Sequence, residues 1–267
     1  MQNYSKRELL ARAREQLARD YNCNPDDFLN AADTYVTPNL NDGRRKFRPN
    51  PPRFALSTFG SGTVISTIPE ITDNIKTALA DVSGMDIFAP EPFKKIEAAL
   101  AKADISLYVN SIAYLPDIDF PRQRAIDALK DSEYTIKLYR KSEIAAFYPE
   151  YDKMNFHNAL LSSHQRGISL RDDVICAAAY DENGDIASAA GASDDSELFW
   201  QIGIDTADGH RQRGLAAALV SLLTEEIIAL GAYPYYCTWS ANIFSQNTAR
   251  KCGFFPAWNE AASAEGY

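Results

Sequence analysis

A predicted strand that runs through a short polar loop into a long helix constrains the fold of this chain more than any other feature. Aromatic and β-branched residues indicate the strand at 198–206, and an apolar stripe indicates the helix at about 211–230. Gly231 ends this helix, and a second strand is predicted at 233–239. The stripe has the spacing of one helix face and consists of Leu215, Leu219, Leu222, Leu223, Ile227 and Leu230. A connection of this length predicts a crossover between two roughly parallel neighbouring strands.

The loop that opens the helix has the composition of an anion-binding turn. A helix N-terminus carries unpaired backbone N–H groups and a partial positive charge, so it holds a phosphate well. Gly214 has no side chain and lets a pyrophosphate approach the backbone, while Ala216 keeps the next position small. Arg211 and Arg213 add positive charge beside the same turn. These residues predict a phosphate site at the start of the helix.

The same residues carry a resemblance to a known family. The pattern Arg211-x-x-Gly214-x-Ala216 resembles the acyl-CoA pyrophosphate loop of the GNAT superfamily, the Gcn5-related N-acetyltransferases. In that family the motif also follows a strand and opens a helix. The resemblance covers about residues 133–267, which is half of the chain.

A downstream segment extends the resemblance. Residues 234–242 are similar to the next strand of the family and to the asparagine, here Asn242, that begins the following helix. Ser245, Ala249 and the pair Gly253-Phe254 continue the similarity to the end of that helix. A generic α/β protein that only happened to have an Arg-rich helix start would not be expected to contain this second segment as well.

The resemblance implies that acetyl-CoA, as the acyl donor, lies between the strands 198–206 and 233–239, which splay apart in the family. It implies that the backbone of the first strand pairs with the pantetheine arm at Ile204, Asp205 and Thr206. Asn242 is also expected to contact the pantetheine. The pyrophosphate is expected to lie beside Arg211 and the backbone N–H groups of Gln212, Arg213, Gly214, Leu215 and Ala216.

The implied reaction transfers an acetyl group from acetyl-CoA to a primary amine, which must be neutral when it attacks the thioester. Several relatives carry a glutamate base where this chain has Gln201, and many carry a tyrosine acid where it has Ala249. Glutamine cannot act as a base. The candidates for the base are Glu197, Asp195 or a chain of water molecules, and the candidates for the acid are Ser245 or water.

These candidates also have ordinary structural interpretations. Asp194, Asp195 and Glu197 have the composition of a solvated turn. Ser245 is suited to packing or helix capping, and His210 is expected to pack against the loop rather than to catalyse.

The rest of the C-terminal half predicts a mixed sheet. Strands at 174–180 and 186–193 are expected to form a hairpin in which Asn183 and Gly184 supply the positive φ values of a two-residue turn. The predicted fold class is α+β, a GNAT fold with a mixed, mostly antiparallel sheet, preceded by a smaller α+β N-terminal domain.

A Pro- and Asp-rich stretch at 117–131 predicts the domain boundary, with an N-terminal α+β domain at 1–130 and a GNAT domain at 131–267. The N-terminal half is also similar to the leader region of a subgroup of these enzymes, and its element order is compatible with a degenerate second GNAT-like copy. Its loop carries a basic run, interpreted as a phosphate contact or a solvated loop, at Arg44, Arg45, Lys46, Arg48 and Arg53.

Composition excludes several other classes of protein. The formal net charge of -9 argues against nucleic-acid binding and favours a cationic second substrate through electrostatic steering. The four cysteines form no CxxC pair and no zinc pattern, so neither a metal site nor a disulfide framework is predicted. No apolar stretch is long enough to cross a bilayer, and the first seven residues lack a signal region, which together predict a cytoplasmic protein.

The predicted function is therefore that of an N-acetyltransferase acting on a small-molecule or peptide amine. The losses at Gln201 and Ala249 support an alternative, a non-catalytic acyl-CoA sensor or scaffold with the same fold. A second alternative is an enzyme for longer acyl chains. Small residues of the hairpin would leave room for such a chain at Ala177, Ala178, Ala179, Ala189, Ala190 and Gly191.

Overall fold

The computed structural model describes residues 4–47 and 49–263. Arg48 of the basic run and the first three residues lie outside the described residues. In chain order the elements are α1 (Lys6–Tyr21), β1 (Thr34–Val36), β2 (Phe54–Thr58), β3 (Thr63–Thr67), α2 (Pro69–Ala78), α3 (Pro90–Ala101), β4 (Leu107–Pro116), α4 (Gln123–Lys130), β5 (Thr135–Arg140), α5 (Lys141–Tyr151), α6 (Ser163–Arg166), β6 (Asp173–Tyr180), β7 (Ile186–Ser193), β8 (Phe199–Thr206), α7 (Leu215–Ala229), β9 (Tyr233–Trp239), α8 (Ile243–Lys251) and β10 (Phe254–Ser263).

The chain forms two compact units that do not correspond to a single cut in the sequence. The hairpin unit contains residues 4–6, Tyr114–Cys237 and Asn242–Phe255. The N-terminal unit contains the described residues of 7–113, 238–241 and 256–263. A division of the sequence at 130/131 stays a prediction.

In the N-terminal unit a small sheet packs on helices. β2 and β3 form an antiparallel hairpin, β1 pairs in parallel with β3, and β10 pairs antiparallel with β2. The apolar core includes Phe54, Leu56, Ile65, Ile71, Ile75 and Leu100. The sequence did not predict β1, which has only three residues, or β10, where Pro256 interrupts a strand pattern.

The basic run in this unit is not simply a solvated loop. The side chain of Arg45 is 6% exposed and forms ion pairs with Asp20 and with Glu260, the latter at 2.8 Å between Nη2 and Oε2. Two carboxylates compensate the buried guanidinium, which would otherwise be costly to remove from water. The solvated-loop interpretation of this residue is therefore wrong.

In the hairpin unit β5, β6, β7 and β8 are successively antiparallel, and β9 is parallel to β8. The predicted fold class, with its mixed and mostly antiparallel sheet, is confirmed. A core on one face of this sheet brings together residues of α5 and of the strands, among them Ile144, Phe147, Tyr151, Cys176, Ala178 and Ala189.

The β6–β7 hairpin forms as predicted, but its turn differs from the prediction. Gly184 has φ +82°, whereas Asn183 does not have a positive φ. The carboxylate of Asp181 accepts hydrogen bonds from the backbone N–H groups of Asn183 and Asp185, at 2.9 and 3.0 Å. This side-chain bridge stabilises a five-residue loop in place of the two-residue turn.

Helix α7 begins at Leu215, four residues later than predicted. Gln212 and Gly214 have φ values of +64° and +84°, which a right-handed helix does not allow. The apolar stripe otherwise behaves as predicted along most of the helix, since Leu215, Leu219 and Leu223 are buried.

Candidate functional site

The strands β8 and β9 pair along only part of their length. Their parallel register runs from Phe199 opposite Tyr233 to Ile202 opposite Tyr236, and in the described structure the pairing ends there. Residues 203–206 of β8 continue beyond this point and pair with β7 on their other edge. We call the opening beside residues 203–206 the cleft, and Ile202 and Tyr236 mark its closed end. Backbone groups along this edge are available to pair with an extended ligand.

A turn with two left-handed residues follows at the open end of the cleft. Gln212 and Gly214, on either side of Arg213, both have positive φ values. A Cβ atom built on Gly214 would meet nothing within 4 Å. The first bond of α7 runs from the N–H of Ala218 to the carbonyl of Gly214, so the N–H groups just before it are not used within the helix. Such a concave turn at a helix N-terminus is suited to an anion.

The predicted cationic side chains of this turn contact neighbouring residues. Arg211 is paired with Asp208 at 3.0 Å, and Arg213 is paired with Glu133 at 2.8 Å. All four side chains are at least half exposed, and exposed pairs of this kind are weak. Both arginines can therefore exchange these partners for a phosphate group. His210 packs against Tyr134, the residue before β5, through a 2.9 Å hydrogen bond between its Nδ1 and the tyrosine hydroxyl.

A segment at residues 157–161, which we call the strap, crosses the sheet beside the cleft. The Asp205 carboxylate accepts hydrogen bonds from the N–H groups of Asn158 and Ala159, at 2.7 and 2.8 Å, and from that of His157 at 3.2 Å. It also accepts hydrogen bonds from the side-chain amide of Asn158 at 2.6 Å and from the Tyr151 hydroxyl at 3.3 Å. Asp205 was predicted to contact the pantetheine through its backbone. Its side chain has a separate role, which is to hold the strap through these hydrogen bonds.

Two glycines on neighbouring strands form the surface against which the strap packs. Gly191 and Gly203 are directly opposite each other in the β7–β8 register. A Cβ atom on Gly203 would lie 1.8 Å from the carbonyl oxygen of Asn158, and one on Gly191 would lie 2.2 Å from that of Ala159. The strap therefore fills the space above Gly191, where the sequence suggested room for a longer acyl chain.

A second carboxylate holds the far end of the strap. Asp173 accepts hydrogen bonds from the N–H of Leu161, at 3.0 Å to Oδ2, and from the Tyr148 hydroxyl, also at 3.0 Å. Burial raises the pKa of Asp173 to about 6, against the lowering effects of these hydrogen bonds and of two nearby arginines. The strap is therefore held at Leu161 by a carboxyl group whose pKa is raised.

The two carboxylates considered as bases lie in different surroundings. Glu197 is exposed in the turn that precedes β8. Asp195 is completely buried and bonded to Arg171 at 3.1 Å, to the Ser193 hydroxyl at 2.8 Å and to the Tyr235 hydroxyl. The solvated-turn interpretation of Asp195 is therefore wrong, because Arg171 and two hydroxyl groups satisfy it inside the protein. Burial raises the pKa of Asp195 and the Arg171 charge lowers it.

On the other side of the cleft, Asn242 caps α8. Its side-chain oxygen accepts a hydrogen bond from the Ser245 N–H at 3.1 Å, which leaves the amide nitrogen as the group suited to donate to a ligand. Ala249 is completely buried. Burial raises the pKa of Tyr236 to about 12, and the neighbouring Ser245 side chain opposes this effect.

Most of the predicted cofactor residues lie in one stretch of the chain, from β8 to the start of α7, and Asn242 lies apart from them, after β9. Ile204, Asp205 and Thr206 border the cleft, the turn from Arg211 to Ala216 follows its open end, and Asn242 begins α8. Sequence reasoning missed Tyr235, Tyr236 and the strap, because tyrosines within a strand are typical core residues and the strap has no motif. Among the described residues, no cluster of His, Cys, Asp or Glu is suited to a metal, and no helix has both the length and the apolar character to span a membrane.

Comparison with known families identifies the region that contains the cleft. Residues 125–254 match the model of the GNAT acetyltransferase family. This part of the chain is a GNAT acetyltransferase domain. The residues before it form an additional region. No curated protein matches the sequence.

Solved structures of GNAT proteins are also similar to the chain. A GCN5-related N-acetyltransferase-like protein from Streptococcus suis has 17% identity and a TM-score of 0.46, with 66% of this chain and 68% of that chain covered. A GNAT acetyltransferase from Colwellia psychrerythraea has 15% identity and a TM-score of 0.39, with 60% and 57% covered. A tandem GNAT protein from the clavulanic acid biosynthesis pathway has 12% identity and a TM-score of 0.41, with 64% and 58% covered.

Proposed function

We propose that the GNAT domain binds acetyl-CoA in the cleft and transfers its acetyl group to a primary amine. The observation that carries this proposal is the continuity between the unpaired edge of β8 and the left-handed turn before α7. The edge offers backbone groups to the amide-containing pantetheine arm. The turn offers N–H groups, a helix N-terminus and two exchangeable arginines to the pyrophosphate. This arrangement directs the thioester toward Ile202 and Tyr236.

Gly214 fits the proposed ligand because it leaves the space in front of the turn open. A side chain at this position would project from a residue with φ +84° into the region assigned to the pyrophosphate. The peptide groups of Gln212 and Arg213 can then approach the phosphate oxygens directly. The acetyl-CoA supplies the activated acyl group, and the chain supplies binding, orientation and hydrogen-bond donors.

In the proposed reaction the amine nitrogen attacks the thioester carbon, and a backbone N–H of 202–204 stabilises the oxyanion. The proton of the amine passes to water or to Glu197. Asp195 is less suited to this role, because it is buried and its oxygens already accept three hydrogen bonds. Gln201 accepts a hydrogen bond from Tyr235 at 3.2 Å and cannot accept a proton near neutral pH. The net charge of -9 favours a cationic amine as the acceptor.

Calorimetry with acetyl-CoA tests the site. Gly214→Glu places a negative side chain where the pyrophosphate is expected, and we expect affinity to fall at least about 100-fold, or about 2.7 kcal/mol. Gly231→Glu is the matched control, because Gly231 also has a left-handed φ, of +85°, and open space, but lies at the other end of α7. Equal affinity of both folded variants would show that the ligand does not use this turn.

The alternative function is that of an acyl-CoA sensor or scaffold without catalysis. It is favoured by Gln201 and by the buried Ala249, which replace the base and the acid of many relatives. Release of free thiol from acetyl-CoA in the presence of a panel of primary amines separates the two functions. Tight binding without thiol release for any amine would favour the sensor. Because the strap fills the space above Gly191, we also expect acetyl-CoA to bind at least as tightly as longer acyl-CoA thioesters.

A further inference from the structure

We propose that the Tyr134 phenol, held by His210, positions the Arg213 guanidinium for the pyrophosphate, so that Arg213 binds this group by releasing only Glu133. The inference rests on the proposed function and adds a positioning residue to the acetyl-CoA site. Arg213 lies between the two left-handed residues of the turn, whereas Tyr134 is the residue before β5. The two residues are 79 positions apart in the sequence, so the motif of the turn does not predict their contact.

One nitrogen of the Arg213 guanidinium contacts the segment before β5. Its Nη1 donates a hydrogen bond to the Glu133 carboxylate at 2.8 Å and another to the Tyr134 hydroxyl at 3.1 Å. Within the described residues these side-chain contacts use Nη1 alone, which leaves the N–H groups of Nη2 and Nε for another acceptor. The guanidinium is therefore held at one corner while the rest of it can bind an anion.

The two partners of Arg213 differ in their exposure. The side chain of Glu133 is 64% exposed, whereas Tyr134 is 7% exposed. The carboxylate can return to water at little cost, since exposed ion pairs are weak. The buried phenol oxygen would lose a donor that water cannot easily replace. A phosphate group that competes for Arg213 should therefore displace Glu133 and leave the contact with Tyr134 in place.

His210 fixes the direction of the Tyr134 hydroxyl. Its Nδ1 lies 2.9 Å from the phenol oxygen, and the two rings pack edge to face with centroids 5.7 Å apart. An arginine can only donate, so the phenol oxygen accepts from Arg213 and directs its single proton to Nδ1 of His210. The imidazole then carries its own proton on Nε2, which lies 3.8 Å from the Asp181 carboxylate. The phenol lone pairs thus stay directed at Arg213.

The sheet holds both groups that position Arg213. The backbone N–H of His210 donates to the Ala207 carbonyl at 2.9 Å, and the N–H of Ala207 donates to the Ala187 carbonyl of β7 at 2.9 Å. Tyr134 directly precedes β5, which pairs antiparallel with β6. Contact with these fixed groups restricts the long side chain of Arg213 before the ligand arrives, which lowers the entropy cost of binding.

A double-mutant cycle measured by calorimetry with acetyl-CoA tests the proposal. Arg213→Ala should weaken acetyl-CoA binding by about 10-fold, the effect of losing one charge-assisted contact with phosphate. Tyr134→Phe should weaken binding by about 5-fold in the parent, but by less than about 2-fold when Arg213 is already replaced by alanine. A tyrosine that only supports the fold would give the same loss in both backgrounds.

The charge of Glu133 provides a prediction of opposite sign. Glu133→Gln removes the carboxylate that competes with phosphate for Nη1 of Arg213, so acetyl-CoA affinity should rise by about 3-fold. The same substitution in Arg213→Ala should leave affinity nearly unchanged. An affinity that does not rise in Glu133→Gln would reject the release of Glu133 on binding.

Two further variants make the test specific. Tyr139→Phe is the matched control, because it removes a phenol of β5 whose hydroxyl contacts Tyr180 at 2.6 Å, and it should bind acetyl-CoA as the parent does. His210→Phe keeps a ring beside Tyr134 but removes Nδ1. It should weaken binding by about 2-fold, again only while Arg213 is present. This variant carries the test if Tyr134→Phe does not fold.

A shortened ligand shows which phosphate Arg213 contacts. Acetyl-dephospho-CoA lacks the ribose phosphate but keeps the pyrophosphate, so Arg213→Ala and Tyr134→Phe should weaken its binding by the same factors. Losses confined to acetyl-CoA would assign Arg213 to the ribose phosphate and reject the proposal.

The outcomes separate this inference from the proposed function. A parent protein that does not bind acetyl-CoA would reject both. A parent that binds acetyl-CoA, with equal losses for Tyr134→Phe in the two backgrounds or with no loss for Arg213→Ala, would reject only the role of Tyr134.

Discussion

The two ends of the cleft are built in different ways. At the open end, the turn from Arg211 to Gly214 presents backbone groups of consecutive residues, and its charged side chains are exposed. At the closed end, side chains from separate elements meet inside the protein, as in the hydrogen bond from the Tyr235 hydroxyl to Asp195 and the ion pair between Asp195 and Arg171. The open end is therefore a local feature of one segment, whereas the closed end depends on how strands, helices and the strap pack together.

This difference implies that substitutions at the closed end should affect stability as well as function. Small changes at the open end should mainly affect ligand affinity, because little is packed against the turn. The following predictions test this contrast, beginning with the largest expected effect.

Gly203→Ala should lower the free energy of unfolding by about 3 kcal/mol or more, because its methyl group would overlap the Asn158 carbonyl and displace the strap. Gly209→Ala is the matched control in the open-end loop, where an added Cβ meets nothing within 4 Å and φ is not positive. Its effect should stay within about 0.5 kcal/mol. Urea denaturation measures both values, and equal losses would contradict the contrast between the two ends.

Asp173→Asn should remove a pH dependence of stability worth about 3 kcal/mol. Because burial raises the folded-state pKa to about 6 from its ordinary value of 3.8, the folded protein binds this proton more tightly than the unfolded chain. The associated stability is present below about pH 4 and is lost as the pH rises to about 6. Urea denaturation of parent and variant at several pH values between 4 and 7 measures the difference.

The same substitution tests whether Asp173 acts on the strap. Amide hydrogen exchange at Leu161 should depend on pH in the parent more than in Asp173→Asn, after correction for the intrinsic exchange rate. In the urea experiment, curves of stability against pH that run parallel for the parent and for Asp173→Asn would show that Asp173 does not have the raised pKa assigned to it.

Ser245→Ala should have the smallest effect, a decrease in kcat of less than about 10-fold, or about 1.4 kcal/mol, with acetyl-CoA affinity unchanged. The departing thiolate is only modestly basic and does not require a dedicated acid, and the Ser245 backbone N–H still contacts Asn242 in the variant. Steady-state kinetics with any acceptor found in the amine panel gives the value. A loss of about 100-fold or more would instead assign Ser245 itself as the acid.

The outcome at individual residues shows which parts of the site a sequence can predict. Gly214 and the helix after it were identifiable because the pattern lies within six residues and has a local physical cause. The start of that helix was placed four residues too early, since the left-handed φ of Gln212 has no clear signature in a glutamine residue. The turn at Asn183 was predicted with the wrong φ because the Asp181 side chain supplied a competing set of hydrogen bonds.

Burial of charge was the hardest feature to predict. Asp195 lies in an acidic segment that has the composition of a solvated turn, yet Arg171, from a loop 24 residues earlier, makes it a buried partner. Arg45 belongs to a basic run, yet its partner Glu260 is 215 residues away in the sequence. In both cases the compensating charge comes from another element, and no local pattern identifies it.

The sequence by itself determined the family resemblance, the mixed sheet, the β6–β7 hairpin and the position of the turn before α7. All of these depend on periodicity or on short motifs, whose physical causes act within a few residues. Only the tertiary structure decided where β8 leaves β9, that the strap lies on Gly191 and Gly203, and that Arg171 pairs with the buried Asp195. These features depend on contacts between distant segments, which form only when the whole domain packs.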